Sequence, residues 1–215
     1  MYLPNVDHEF DIEDTICLLD IGHSTTKISS SKILAFKPYR SQILSETHAY
    51  CAGSKADERF EGLMRGRLAG KEGFSDKALQ LAIGTFQSTA KRSFATDSVP
   101  EKPFLVPVQG IADNDEICVK DGQIGLATSD LHDIFEPIVV EILQLVKDHI
   151  KAIADPIQGV CVCGRFSQSP YIRERLSKEI GDKMGIPYLP MTQPTHVVAM
   201  GAALCAQQRL SRGQA

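Results

Sequence analysis

CLLDIGHSTTK, residues 17–27, is the stretch on which the fold turns. An apolar run ends on Asp20, a small polar turn follows around Gly22, and Thr25 opens a second strand-like segment. A carboxylate at a strand end, followed by a glycine turn and a hydroxyl, can hold a hydrated magnesium ion and a terminal phosphate through backbone N–H groups. Taken alone, an Asp-x-Gly turn between strands is more often only a turn. This one also carries His23 and Ser24, where a close backbone approach to phosphate favours glycine. On either side, DTICLLD (14–20) and TTKISS (25–30) read as a strand pair, and KILAF (32–36) as a third strand. The first run is apolar enough for a strand buried on both faces.

The chain around this stretch has 215 residues, enough for one large domain or two small ones with a real core. Its composition, 43% hydrophobic and 23% charged, is that of an ordinary globular protein. The formal net charge is -4 and no sustained Lys/Arg run occurs. Nucleic acid and anionic membrane are therefore not expected partners, because both need a concentrated basic surface. The acidic opening, MYLPNVDHEFDIED, lacks the basic-then-apolar plan of a signal peptide. No apolar run approaches the roughly 18 residues that span a membrane. Of the 6 cysteines, Cys17, Cys118, Cys161, Cys163 and Cys205 sit inside apolar segments, with Cys51 less clear. They read as small buried hydrophobes in a reducing compartment, which predicts a cytoplasmic protein.

Downstream, Ser54 can cap a helix running to about residue 68, with Ala56, Phe60, Leu63 and Met64 inward. Ser75 can cap another over 76–94, with Leu79, Ile83, Phe86 and Ala90 at helical spacing. PFLVPVQG and EICVKDGQIGL then read as β structure, with Asp121-Gly122 as a two-residue hairpin turn. The longest helix is predicted over about 129–152, its apolar stripe interrupted by Pro137, which predicts a kink. GVCVCG (159–164) reads as a buried strand. Ser169 and Pro170 open a helix to about 184, and Gly185 stops it. A short PYLP segment precedes a last helix over about 196–209.

Three further places could carry chemistry. GRFSQSP (164–170) joins a buried strand to a capped helix, a natural anion site and equally a plain connection. In THVVAMGAALCA (195–206), Ala199, Gly201, Ala202 and Ala203 make a helix face with almost no bulk, which tight packing ordinarily explains. Lys91 and Arg92 end a helix, where cations complement the macrodipole.

In this order and spacing the pieces resemble the C-terminal lobe of the actin-like ATPase domain of 70-kDa heat-shock (DnaK-type) proteins. They are most similar to a divergent branch of heat-shock-like ATPases abundant in filamentous fungi. Residues 14–33 resemble the second phosphate motif, and YCAGSKADERFEGLM (50–64) the entry to subdomain IIB, with Asp57 and Phe60 on family positions. STAKRSF (88–94) resembles the IIB helix end whose basic pair borders adenine, and VCVCGRFSQSPYIRERL the adenosine motif. The hairpin with the long Glu-Pro-containing helix, and QPTHVVAMGAALCA, resemble the segments that follow and close that lobe. The resemblance implies an α/β actin-like ATPase (ribonuclease H-like) lobe with an inserted α+β subdomain. Residues 1–48 and 116–215 would form the IIA-like lobe, and 49–115 the IIB-like insertion. It also implies ATP or ADP with magnesium, with Asp20, Gly22 and Thr25 around phosphate and metal, and Lys91, Arg92, Gly164 and Ser167 near adenosine.

Where the family motif has further glycines the chain has His23 and Ser24, and its closing aspartate is Lys27. Arg165 replaces the second glycine of the adenosine motif, and the acidic residue of the IIB helix falls on Ser88 or Gln87. Little sequence precedes the first matching segment, so no counterpart of the N-terminal lobe and its catalytic lysine is expected. These departures imply a truncated, degenerate lobe that binds nucleotide weakly or is inactive alone. Two alternatives are an ATPase completed by a complementary lobe on another chain and a non-enzymatic module whose exposed face is covered by a protein partner.

Overall fold

The computed structural model describes residues 8–36, 39–95, 97, 103–197, 199–203 and 206. Strand β1 (Thr15–Ile21) is buried along most of its length, as an apolar run with neighbours on both edges must be. It pairs antiparallel with β2 (Thr26–Phe36) across the turn at 22–25, and Asp20 faces Lys27 in the register. Residues 32–36 do not form a separate strand but continue β2. The third strand is β3 (Tyr39–Ala49), antiparallel to β2 at the edge of the sheet. It escapes sequence reading because its side chains are exposed or only half-buried, so no apolar alternation marks it.

Helix α1 (Gly53–Leu68) buries Ala56, Phe60, Met64 and Leu68, while Leu63 is half-buried. Its N-cap is Ala52, and Ser54 lies inside the first turn instead of capping it. Helix α2 (Asp76–Ser88) is capped as expected: Ser75 Oγ accepts from the Ala78 N–H at 3.2 Å. The helix does not reach residue 94 unbroken. Thr89 leaves helical geometry at φ -114°, ψ -94°, and a single turn, α3 (Ala90–Ser93), resumes beyond it.

A second sheet follows, built from β4 (Phe104–Pro107), β5 (Val119–Lys120) and β6 (Gln123–Leu126) in the order β4-β6-β5. Its strands come from both sides of residue 115. Asp121 and Gly122 both have positive φ, 51° and 70°, as a tight hairpin turn between right-twisted strands requires. Cys118 is a correction: it is exposed, in left-handed geometry at φ 57°, and not buried. Cys205 lies outside the described residues.

Helix α4 (Thr128–Lys151) runs uninterrupted through Pro137 and presents Leu131, Phe135, Ile138, Val139, Ile142 and Val146 to the core. Strand β7 (Ile157–Cys163) lies parallel to β1, and β8 (Tyr188–Pro190) parallel to β7, giving the order β3-β2-β1-β7-β8. Between them, α5 (Pro170–Leu176) continues into a π-wound stretch, Ser177–Lys183, and ends at Gly185. A forked pair from Arg175 to Glu136, joined by the Tyr171 hydroxyl at 2.7 Å, fastens α5 to α4. One face of the sheet packs Cys17, Leu19 and Ile28 into the main core, and the other packs Ile16, Ile33 and Cys161 around Phe10.

The chain is helical again at 197, 199–203 and 206, and the rest of the last predicted helix lies outside the described residues. Its small residues Ala199, Gly201, Ala202 and Ala203 are exposed, and none of the described residues lies where a Gly201 side chain would project. Among the described residues no helix is long and apolar enough to cross a membrane.

Candidate functional site

Parallel neighbours β1 and β7 end side by side, with Asp20 opposite Cys163 in their register. Their carboxyl ends form the floor of an open cleft of about 900 Å³, the place where α/β sheets commonly hold ligands. Asp20, Gly22 and His23 line one side, Gly164, Arg165, Phe166 and Gln168 another, and Asp57, Gln87, Lys91 and Arg92 a third. Ser169, Pro194 and Thr195 complete it. Of the residues singled out in the sequence, Asp20, Gly22, Lys91, Arg92 and Gly164 therefore converge. Thr25 and Ser167 do not line the cleft: Thr25 is exposed, and Ser167 is buried with its Oγ donating to the Gly164 carbonyl at 2.7 Å.

Gly164 is where sequence and geometry agree most closely. Its φ is 91°, and an added Cβ would sit 2.4 Å from both Asp20 Oδ1 and the Ile21 carbonyl oxygen. Only glycine lets the two strand ends approach this closely. Its N–H donates to the Pro194 carbonyl at 3.0 Å, which brings the following segment over the cleft.

Neither His23 nor Ser24 is among the residues with positive φ, so their side chains are accommodated without left-handed strain. The Gly22 N–H donates to the Thr25 carbonyl at 3.0 Å. The first N–H groups of α1 are also engaged: Gly53 donates to Gly22 O at 3.4 Å and Ser54 to His23 O at 2.6 Å. The N–H groups of Gly22, Gly53 and Ser54 are thus satisfied within the chain. Asp20 lies half-buried at the strand end; burial raises its pKa, and the Lys27 cation opposes the rise.

Lys91 reaches Asp57 on α1, Nζ to Oδ1 at 2.7 Å, with both side chains largely buried. Burial lowers the Lys91 pKa, the bond to Asp57 opposes this, and the Arg165 and Arg92 charges add to the fall. The ammonium also lies 5.7 Å from the centre of the Phe166 ring, within cation–π range. This pair joins residues 34 apart in sequence, so no local pattern reveals it. Arg92 and Arg165 remain exposed beside it. Burial pushes the Cys163 thiol up to about 12, helped by Asp20 and Cys161, so it is not a nucleophile at neutral pH. Ser169, 3% exposed, has its Oγ buried without a hydrogen-bond partner among the described residues. No sequence signal marked it beyond its place before Pro170.

No protein-family model matches the chain, and no curated protein does. Among solved structures it is similar to the pCBH ParM non-polymerisable quadruple mutant, with TM-score 0.63 at 13% identity. That match covers 92% of this chain and 48% of the other. It is also similar to MreB 5 of Spiroplasma citri bound to AMPPNP, with TM-score 0.62 at 12% identity, over 94% of this chain and 56% of that one. The chain spans about half the length of both. Likeness at such identity is likeness of fold, and the mixed α/β lobe with its five-stranded sheet has the actin-like ATPase fold.

Proposed function

We propose that the chain is a nucleotide-binding lobe of heat-shock-like type, which holds ATP or ADP weakly and does not hydrolyse it unaided. One observation carries this reading: Asp20, Gly22, Lys91, Arg92 and Gly164, far apart in sequence, line a single cleft at the carboxyl ends of β1 and β7. Phosphates would lie towards Asp20 and His23, and the nucleoside towards Arg92 and Gly164. Weakness follows from the turn at 22–25, whose Gly22 N–H is already used, and from the engaged first N–H groups of α1. Oriented donors in an enclosed site are what stabilise a phosphoryl transition state, and this cleft offers few of them. On the same reading the inserted subdomain comprises residues 49–115, and β6, which follows it, pairs with β4 inside it. The buried free thiols of Cys17, Cys51, Cys161 and Cys163 suit a reducing compartment such as the cytoplasm.

Isothermal titration of the chain with ATP and ADP tests the reading. The expected dissociation constant is of the order of 1 mM, about −4 kcal/mol, with no release of phosphate. Low-micromolar affinity with turnover abolished by Asp20→Ala would instead establish a competent ATPase.

A second reading, a surface for a protein partner, rests on the edge strand β3. Ile43 is 66% exposed on it and Tyr50, just beyond, 72%. Light scattering across a concentration series decides this for self-association, since a monomer throughout removes a second copy as the partner.

A further inference from the structure

The turn that joins β1 to β2 carries one side chain placed to meet an anion. His23 lines the cleft beside Asp20 and Gly22, and it is exposed. Its imidazole has no hydrogen bond, ion pair or ring contact among the described residues. Its backbone is held: the His23 carbonyl accepts from the Ser54 N–H at 2.6 Å, which ties the turn to the start of α1. That backbone is itself a poor anion cradle. The N–H groups of Gly22, Gly53 and Ser54 are bonded within the chain. None of residues 22–25 has a positive φ, so the turn is not the αR–αL nest that converges successive N–H groups on one anion. Nearby cations are committed elsewhere: Lys27 bonds Glu46 at 2.7 Å, and Lys55 bonds Glu58 at 2.8 Å. Lys91 is held by Asp57 at 2.7 Å, and Arg92 and Arg165 lie near it, towards the nucleoside end of the reading above. With Lys27 bonded to Glu46, Asp20 keeps a carboxylate at the strand end of the kind that suits a hydrated magnesium ion. Imidazole presents an N–H donor whether neutral or protonated, and a hydrogen bond to an ionised oxygen is stronger than one between neutral groups.

We propose that the His23 imidazole is the phosphate-binding group of this cleft, donating to a phosphate oxygen of the nucleotide, with the Asp20 carboxylate left to the metal. This rests on the nucleotide reading above and adds the side chain that holds the phosphate. A glycine at position 23, which the resembled motif carries, should then weaken the site instead of restoring it.

The test titrates the full ¹⁵N-labelled chain with ADP and, separately, with adenosine, in excess magnesium chloride, following the Gly164 amide across the cleft. The wild type should bind ADP more tightly than adenosine. His23→Ala and His23→Gly should each weaken ADP binding by about tenfold and leave adenosine within about twofold of the wild type. Circular dichroism verifies that both variants fold, as substitutions at an exposed turn position allow. ADP binding by His23→Gly as tight as the wild type, or tighter, overturns the proposal and gives the phosphate to the backbone, while the nucleotide reading stands. Equal loss of ADP and adenosine in the variants also overturns it, since the ring would then support the wall without touching phosphate. So does wild-type binding of ADP no tighter than that of adenosine. No saturable shift with either ligand overturns both readings.

Discussion

A Cβ at position 164 would overlap the Asp20 carboxylate and the Ile21 backbone, and no rotamer can relieve a clash made by Cβ itself. Gly164→Ala combines that overlap with a strained positive φ, so it should cost about 2–4 kcal/mol in urea unfolding. It should also weaken nucleotide binding, because relief of the overlap must separate the two strand ends that form the floor. A cost below about 0.5 kcal/mol, within the range of ordinary surface substitutions, would mean that β1 and β7 do not meet so closely. This residue was legible in sequence because glycine between a buried strand and a capped helix has a recognisable setting. Asp57 was legible only as a family position, since its role depends on Lys91 crossing from α3 to α1. Neither His23 nor Ser24 has a positive φ, as side chains at those positions favour, and the Gly22 N–H is bonded within the turn.

Packing between elements places a titrating group at the end of α4. His149 is 3% exposed, with Nε2 2.7 Å from Ser30 Oγ on β2 and Nδ1 3.1 Å from Thr47 Oγ1 on β3. Burial holds its pKa below 6.5, so the unfolded chain takes up this proton first as pH falls. The neutral imidazole's contribution is therefore complete above 6.5 and declines below it, until the folded pKa is passed. Unfolding free energy measured by urea titration should begin to fall as pH drops below 6.5, and His149→Gln should flatten that slope. An identical slope in the variant would assign the titration to another group. Glu136, whose pKa the Arg175 pair lowers from 4.5, does not set the onset at 6.5. Elements with a continuous apolar face, β1, β7 and α4, could be read directly from sequence. β3 could not, because an exposed edge strand has no face to bury, and neither could the break at Thr89, which no glycine or proline announces.

At the scale of the molecule, the sheet order β3-β2-β1-β7-β8 determines what can meet what. Placing β7 beside β1 in parallel brings a turn near residue 22 and a loop near residue 164 to the same edge, and the α1–α3 contact adds Lys91 and Arg92. No single motif implies this convergence; it follows from topology, which sequence reached through resemblance across the chain and not through any one pattern. The fold is that of actin-like ATPases, while the lining of the cleft is this chain's own: two exposed guanidinium groups, a half-buried aspartate and a turn whose Gly22 N–H is already bonded. The proposed function requires nucleotide to bind in this cleft. Amide chemical-shift mapping with ¹⁵N-labelled chain and increasing ADP tests it most directly. Nucleotide in the cleft should give saturable shifts clustered at Gly22, His23, Gly53, Arg92, Gly164 and Arg165, with β3 and β8 unmoved. Saturable shifts confined to β3, or no saturable shift at any residue, would contradict it.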